Sequence, residues 1–119
     1  MRAGMSKPRH QPDPAAWEAL QTLHRQMTRF VAAGTERELN ARHLAVMLHL
    51  YLHPSDPLAH TVRGLSSDLG IPRPAICRAA DHLSAHGLAG RNPDPEDGRS
   101  VLIALTKKGA ALLDALAGA

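Results

Sequence analysis

Apolar positions recur at spacings of three and four through most of the chain, then switch to alternation near its end. Trp17, Leu20, Leu23, Met27 and Phe30 form one stripe at the helical period. Asp13-Pro14 supplies an N-cap and a first-turn proline, and Gly34 a stop, so a helix is predicted over 13–34. Asn40 is the next N-cap, with Leu39 and Leu44 at the two positions of a hydrophobic staple. The run from Leu44 to Leu52 is apolar nearly all round, interrupted by His49. Its cap, staple and length make it a central buried helix rather than a strand, and His53-Pro54 ends it. Thr61 caps a short helix whose buried side is Val62, Leu65 and Leu69, with Gly70 closing it. Pro74 opens a helix over 74–86 with Ile76, Ala79, Ala80 and Leu83 inside and Gly87 as its stop.

The period then changes. Leu88 to Asn92 is short and extended, and Pro93-Asp94-Pro95-Glu96-Asp97-Gly98 is dense in turn formers. Val101, Ile103 and Leu105 alternate with Leu102 and Ala104, the pattern of a strand. Thr106 caps a last helix over 107–117 with Leu112, Leu113 and Leu116 on one side. The expected fold is mostly α with a small β-hairpin: a winged helix-turn-helix. Residues 1–12, with Arg2, Lys7 and Arg9 and no periodicity, read as a disordered basic tail. Residues 13–119 form one domain, in which 40–105 is the DNA-binding lobe.

Composition narrows the classes. A chain of 119 residues with 44% hydrophobic content suits one domain with a real core, and 3% aromatic content makes that core aliphatic. The single cysteine, Cys77, excludes an intrachain disulfide and a cysteine-based zinc finger. No apolar run approaches the ~20 residues of a membrane helix. No secretory signal is present, so a cytoplasmic protein with no membrane association is expected. Fourteen Lys and Arg against eleven acids is a mild basic excess that admits a nucleic-acid partner.

The helix pair carries the chemistry. A helix fits the major groove while a short preceding helix braces it. The outer face of the second helix offers Arg73, Pro74, Ala75, Cys77, Arg78, Asp81 and His82. Arginine can pair with guanine edges or phosphate, and alanine can touch a thymine methyl. The expected DNA contacts on helix 74–86 are therefore Arg73, Pro74, Ala75, Cys77, Arg78 and His82.

Between Glu38 and Leu113 the chain resembles the MarR (multiple-antibiotic-resistance regulator) family. The resemblance rests on Leu65-Ser-Ser-Asp-Leu-Gly-Ile71, on Asp81-His82-Leu83, and on His86-Gly87-Leu88 with Arg91 following. It continues in Asp94-Pro95-Glu96-Asp97-Gly98-Arg99-Ser100 and Leu105-Thr106-Lys107-Lys108-Gly109. Its wing signature is complete at Asp97, Arg99, Leu105 and Thr106. The resemblance implies a bacterial transcription regulator that binds a short palindrome in double-stranded DNA as a dimer. It implies that the 93–100 wing places Arg99 in the minor groove, whose negative potential attracts a guanidinium, with Asp97 supporting the wing. Family members commonly have a longer C-terminal part, whereas the last helix here runs only to about Ala117. A homodimer through the N-terminal and C-terminal helices is expected, because an isolated lobe would leave their stripes wet.

Two residue types could carry sensing chemistry. Of eight histidines, His49/His53 and His82/His86 have the i,i+4 spacing of two metal ligands on one helix face. Zinc needs three or four ligands, so no metal is expected, and a hydrogen-bonded core His49 and a phosphate-contacting His82 are the simpler readings. Cys77 on the DNA face could block binding when oxidised, or could merely fill the place of a serine. No phosphate loop or nucleophile elbow is present, so neither an enzyme nor a cofactor is expected. The alternative function is a winged helix that binds protein, or a regulator subunit without its own operator.

Overall fold

The computed structural model describes His10 and residues 13–96 and 98–118. The tail reading over 1–12 and the Asp97 reading therefore lie outside the described residues, His10 apart. Five helices and one hairpin follow in order: α1 (Pro14–Gly34), α2 (Ala41–Leu52), α3 (Val62–Leu69), α4 (Arg73–Ala85), β1 (Ala89–Pro93), β2 (Val101–Leu105) and α5 (Lys107–Ala117). A short 3-10 turn, Pro57–His60, precedes α3. The sequence does not announce it, because its four residues are too few to show a period.

Local chemistry accounts for the boundaries. Asp13 accepts the N–H of Ala16, Thr61 that of Gly64, and Thr106 that of Gly109, each satisfying an orphan donor at a helix start. Asn40 caps α2 through the N–H groups of Arg42 and His43, and the His43 ring accepts the Asn40 N–H in return. That is a capping box with histidine in the place usually held by Glu or Gln. Gly70 and Gly87 close α3 and α4 with φ of 66° and 71°, in the left-handed region that favours glycine.

The core joins α2, α3 and α4. Val46, Met47, Leu65, Ile76, Leu83 and Ile103 are fully buried, and each such side chain contributes roughly 1.5–3 kcal/mol relative to exposure. The hairpin pairs antiparallel from Ala89↔Leu105 to Pro93↔Val101. A single bridge between Thr61 and Leu102 fastens the wing to the start of α3.

The terminal helices depart from expectation. Leu113 and Leu116 are buried within the chain itself, together with Phe30 of α1, so α5 does not present a wet stripe. Arg29 donates to the Leu116 carbonyl at 3.4 Å, closing α1 onto α5. The N-terminal half of α1 does stay open: Trp17, Leu20 and Leu23 are each more than half exposed. Among the described residues no helix is long and apolar enough to cross a membrane.

Candidate nucleic-acid interface

The turn between α3 and α4 is short and stiff. Gly70 reverses the chain, and Ile71-Pro72 leads directly into α4, where the Ala75 N–H bonds the Pro72 carbonyl at 2.9 Å. Pro72 caps α4 with no side-chain bond and Pro74 sits in the first turn. Proline there loses no useful donor, since the first helical N–H groups lack partners in any case.

Packing fixes the rotation of α4. Ile76, Ala79, Ala80 and Leu83 face the core, which leaves Arg73, Pro74, Arg78 and Asp81 exposed on the far side. Asp81 is paired with Arg91 of β1 at 2.8 Å. The same guanidinium donates to the Cys77 carbonyl at 3.2 Å, so β1 grips two successive turns of α4. The only acid on α4 is thereby neutralised, and its outer face keeps two arginines. In the sequence Arg91 merely follows the helix; its reach back to Asp81 needs the hairpin geometry.

Two hollows border α4. The first, about 420 Å³, is lined by Thr61, Arg63, Arg73, Cys77, Arg99 and Val101 among others, and lies between α4, the start of α3 and the wing. The second, about 220 Å³, has Asn40, Arg42, His43, Ala75, Arg78 and His82 in its lining, between α4 and the start of α2. Arg63 and Arg42 were missed in the sequence, where each stands as an isolated cation on a different helix.

Two expected contacts are placed otherwise. Ala75 is only 6% exposed and forms part of a hollow's floor, because it adjoins the core stripe; it has too little surface to meet a thymine methyl. His82 is half-buried, and its Nε2 donates to the Arg37 carbonyl at 2.6 Å. Its ring stacks on His43 and leans on His86, so the atom that would reach a phosphate is engaged. Cys77 is half-buried in the wall of the first hollow. Arg99 is exposed on the wing loop between the two strands.

His49, His53 and His60 are held by hydrogen bonds. His49 Nε2 meets Asp68 at 3.1 Å and His53 Nδ1 meets the His49 carbonyl at 2.9 Å. Among the described residues no group of three His, Cys, Asp or Glu side chains is arranged to hold a metal.

Comparison with known proteins agrees with this architecture. Residues 38–100 match the model of the MarR family. No curated protein is similar in sequence. The fold is similar to that of S. aureus MepR in a MepR–DNA complex, with a TM-score of 0.69 and 20% identity over 86% of this chain and 81% of that one. It is also similar to a transcriptional regulator from Thermotoga maritima, with a TM-score of 0.69 and 18% identity over 88% and 71%. The apo form of E. coli MarR gives 0.59 and 21% identity over 89% and 76%. At these identities the likeness establishes the fold.

Proposed function

Because the chain belongs to the MarR family, we propose that it is a sequence-specific transcription regulator whose α4 enters the major groove while the wing loop meets the minor groove. The observation that carries this reading is the outer face of α4: Arg73 and Arg78 are exposed there, and the one acid beside them is paired away by Arg91. A helix with that face attracts phosphate and can hydrogen-bond base edges. Pro74 and Cys77 adjoin these arginines, and Arg99 approaches from the wing. The similar MepR chain is seen in complex with DNA, and this chain would dock in the same orientation. A protein-docking winged helix would instead expose an apolar recognition face.

The protein acts as a homodimer in this reading. Trp17, Leu20 and Leu23 form an exposed apolar row on α1. An apolar cavity beside them, about 140 Å³ and lined by Met27, Leu44, Leu48, Leu113 and Leu116 among others, continues that surface toward α5. A second copy related by a two-fold axis covers the row and sets two α4 helices on adjacent half-sites. The experiment is selection of binding sites from random duplex DNA by the purified protein. A palindromic consensus is expected; the absence of any enriched sequence overturns the reading.

A further inference from the structure

The arginines of this chain divide by what they touch. Among the described residues, Arg25, Arg29, Arg37 and Arg91 each bond a neighbour within the protein. Arg99 likewise has an interaction of its own. Among the described residues, the guanidinium groups of Arg42, Arg63, Arg73 and Arg78 have no hydrogen-bond or ion-pair partner. All four line the two hollows beside α4. These partnerless guanidinium groups are thus gathered along one helix, although they come from α2, α3 and α4.

The hollows lie on different sides of that helix. At about 100° per residue, the pair Arg73 and Cys77 is centred about 150° around α4 from Ala75, Arg78 and His82. The exposed ridge carrying Pro74 and Asp81 runs between them. A helix with its side chains is about 10–12 Å across, and the major groove is about 12 Å wide. A helix that fills the groove therefore has one sugar-phosphate strand along each flank. We infer that Arg42 and Arg63 are phosphate clamps for opposite DNA strands, holding α4 in the groove from its two sides. This rests on the DNA reading proposed above. The start of α2 brings Arg42 to one flank, while the Thr61–Leu102 bridge sets Arg63 beside the wing on the other. Neither residue reaches a base edge; both fix the depth and tilt at which Arg73 and Arg78 meet the bases.

The full-length protein tests this on two DNAs. On a mixed-sequence duplex, Arg42→Ala and Arg63→Ala each lower the slope of log affinity against log salt by about one per bound protomer, and the double variant by about two. Arg25→Ala, which removes a charge from α1, leaves the slope unchanged. Lysine at position 42 or 63 restores it, as a phosphate contact allows and a lost packing contact does not. On the selected operator, neutral methylphosphonate groups are placed one at a time along each strand. Arg42→Ala loses sensitivity to a group on one strand, and Arg63→Ala to a group on the other. Parent-like slopes in both variants, or both residues mapping to one strand, overturn the inference and leave DNA binding intact. A parent protein that binds no duplex overturns the DNA reading itself.

Discussion

The imidazoles of His43 and His82 lie face to face, 4.4 Å between centroids and 9° from parallel. One belongs to the capping box of α2, the other to the last turns of α4, and His86 leans on His82 at 4.7 Å. The His82 Nε2 donates to the Arg37 carbonyl, so the stack also ties in the α1–α2 connection. Arg42 and Arg78 line the hollow that His43 and His82 share, and among the described residues no acid lines it.

This stack predicts an acid-sensitive fold. Burial first, then the charges of His82 and His86, hold His43 below the ordinary imidazole value of 6.5. The unfolded chain then binds the proton more readily than the folded one. The stabilising contribution is fully present above pH 6.5 and is lost as pH falls from there toward the lowered value. Protonation at Nδ1 also removes the acceptor of the Asn40 N–H. Melting temperature should drop as pH is lowered below 6.5. His43→Gln, which keeps a capping-box acceptor without titrating, should flatten that drop; an unchanged acid limb would refute the assignment.

Substitutions on the outer face of α4 and on the wing should separate by role. Arg73→Ala or Arg78→Ala should cost roughly 1–3 kcal/mol on the selected operator and relax preference at one base position. Arg99→Ala should weaken binding and reduce the salt slope by about one, as expected for a charge withdrawn from a narrow groove. All three side chains are exposed, so circular dichroism melts should match the parent. Binding of all three variants at parent strength would be the refuting result.

The open row on α1 predicts the oligomeric state. Leu20→Lys places a charge where a second copy would bury Leu20, which is 56% exposed in the single chain. Light scattering should show a dimer for the parent and a monomer for the variant. Operator affinity should fall with it, since a monomer reads one half-site. A parent that scatters as a monomer sinks the two-fold model.

Gly109 predicts a stability defect. The α5 backbone passes so close to Leu88 that a Cβ on Gly109 would run into the Leu88 carbonyl oxygen. The oxygen is backbone and a Cβ position is fixed by its own backbone, so neither can swing away. Thr106 Oγ1 donates to the Gly87 carbonyl and Lys108 to that of His86, sealing the end of α4 at the same place. Gly109→Ala should cost roughly 1–3 kcal/mol by overpacking, read as a lower midpoint in urea; a parent-like midpoint would show that the two segments can separate.

Most of the fold was legible in the residues because its determinants are local. Asp13, Asn40, Thr61 and Thr106 each cap a helix within three residues. Gly70 and Gly87 stop α3 and α4 by a conformation glycine adopts freely, and the change of period after Leu88 announces the hairpin. These choices are made by a residue and its near neighbours, so composition and spacing suffice. The surface of α4 was legible only in part. Arg73 and Arg78 fell on the outer face by periodicity alone, but Ala75 sits at the edge of the core stripe, where a few degrees of rotation decide burial.

Tertiary structure decided everything that joins distant segments. His82 finds the Arg37 carbonyl 45 positions away. Arg91 crosses from the wing to cancel Asp81, and Arg42 and Arg63 come to flank a helix on which neither lies. Leu113 and Leu116, an apolar stripe in the sequence, are covered by the chain's own first helices rather than left for a partner. A sequence specifies which groups can pair or hide, since that follows from their chemistry and period. Which partner each one meets depends on how five helices and a hairpin close around one aliphatic core, and that closure is a property of the whole packing rather than of any segment.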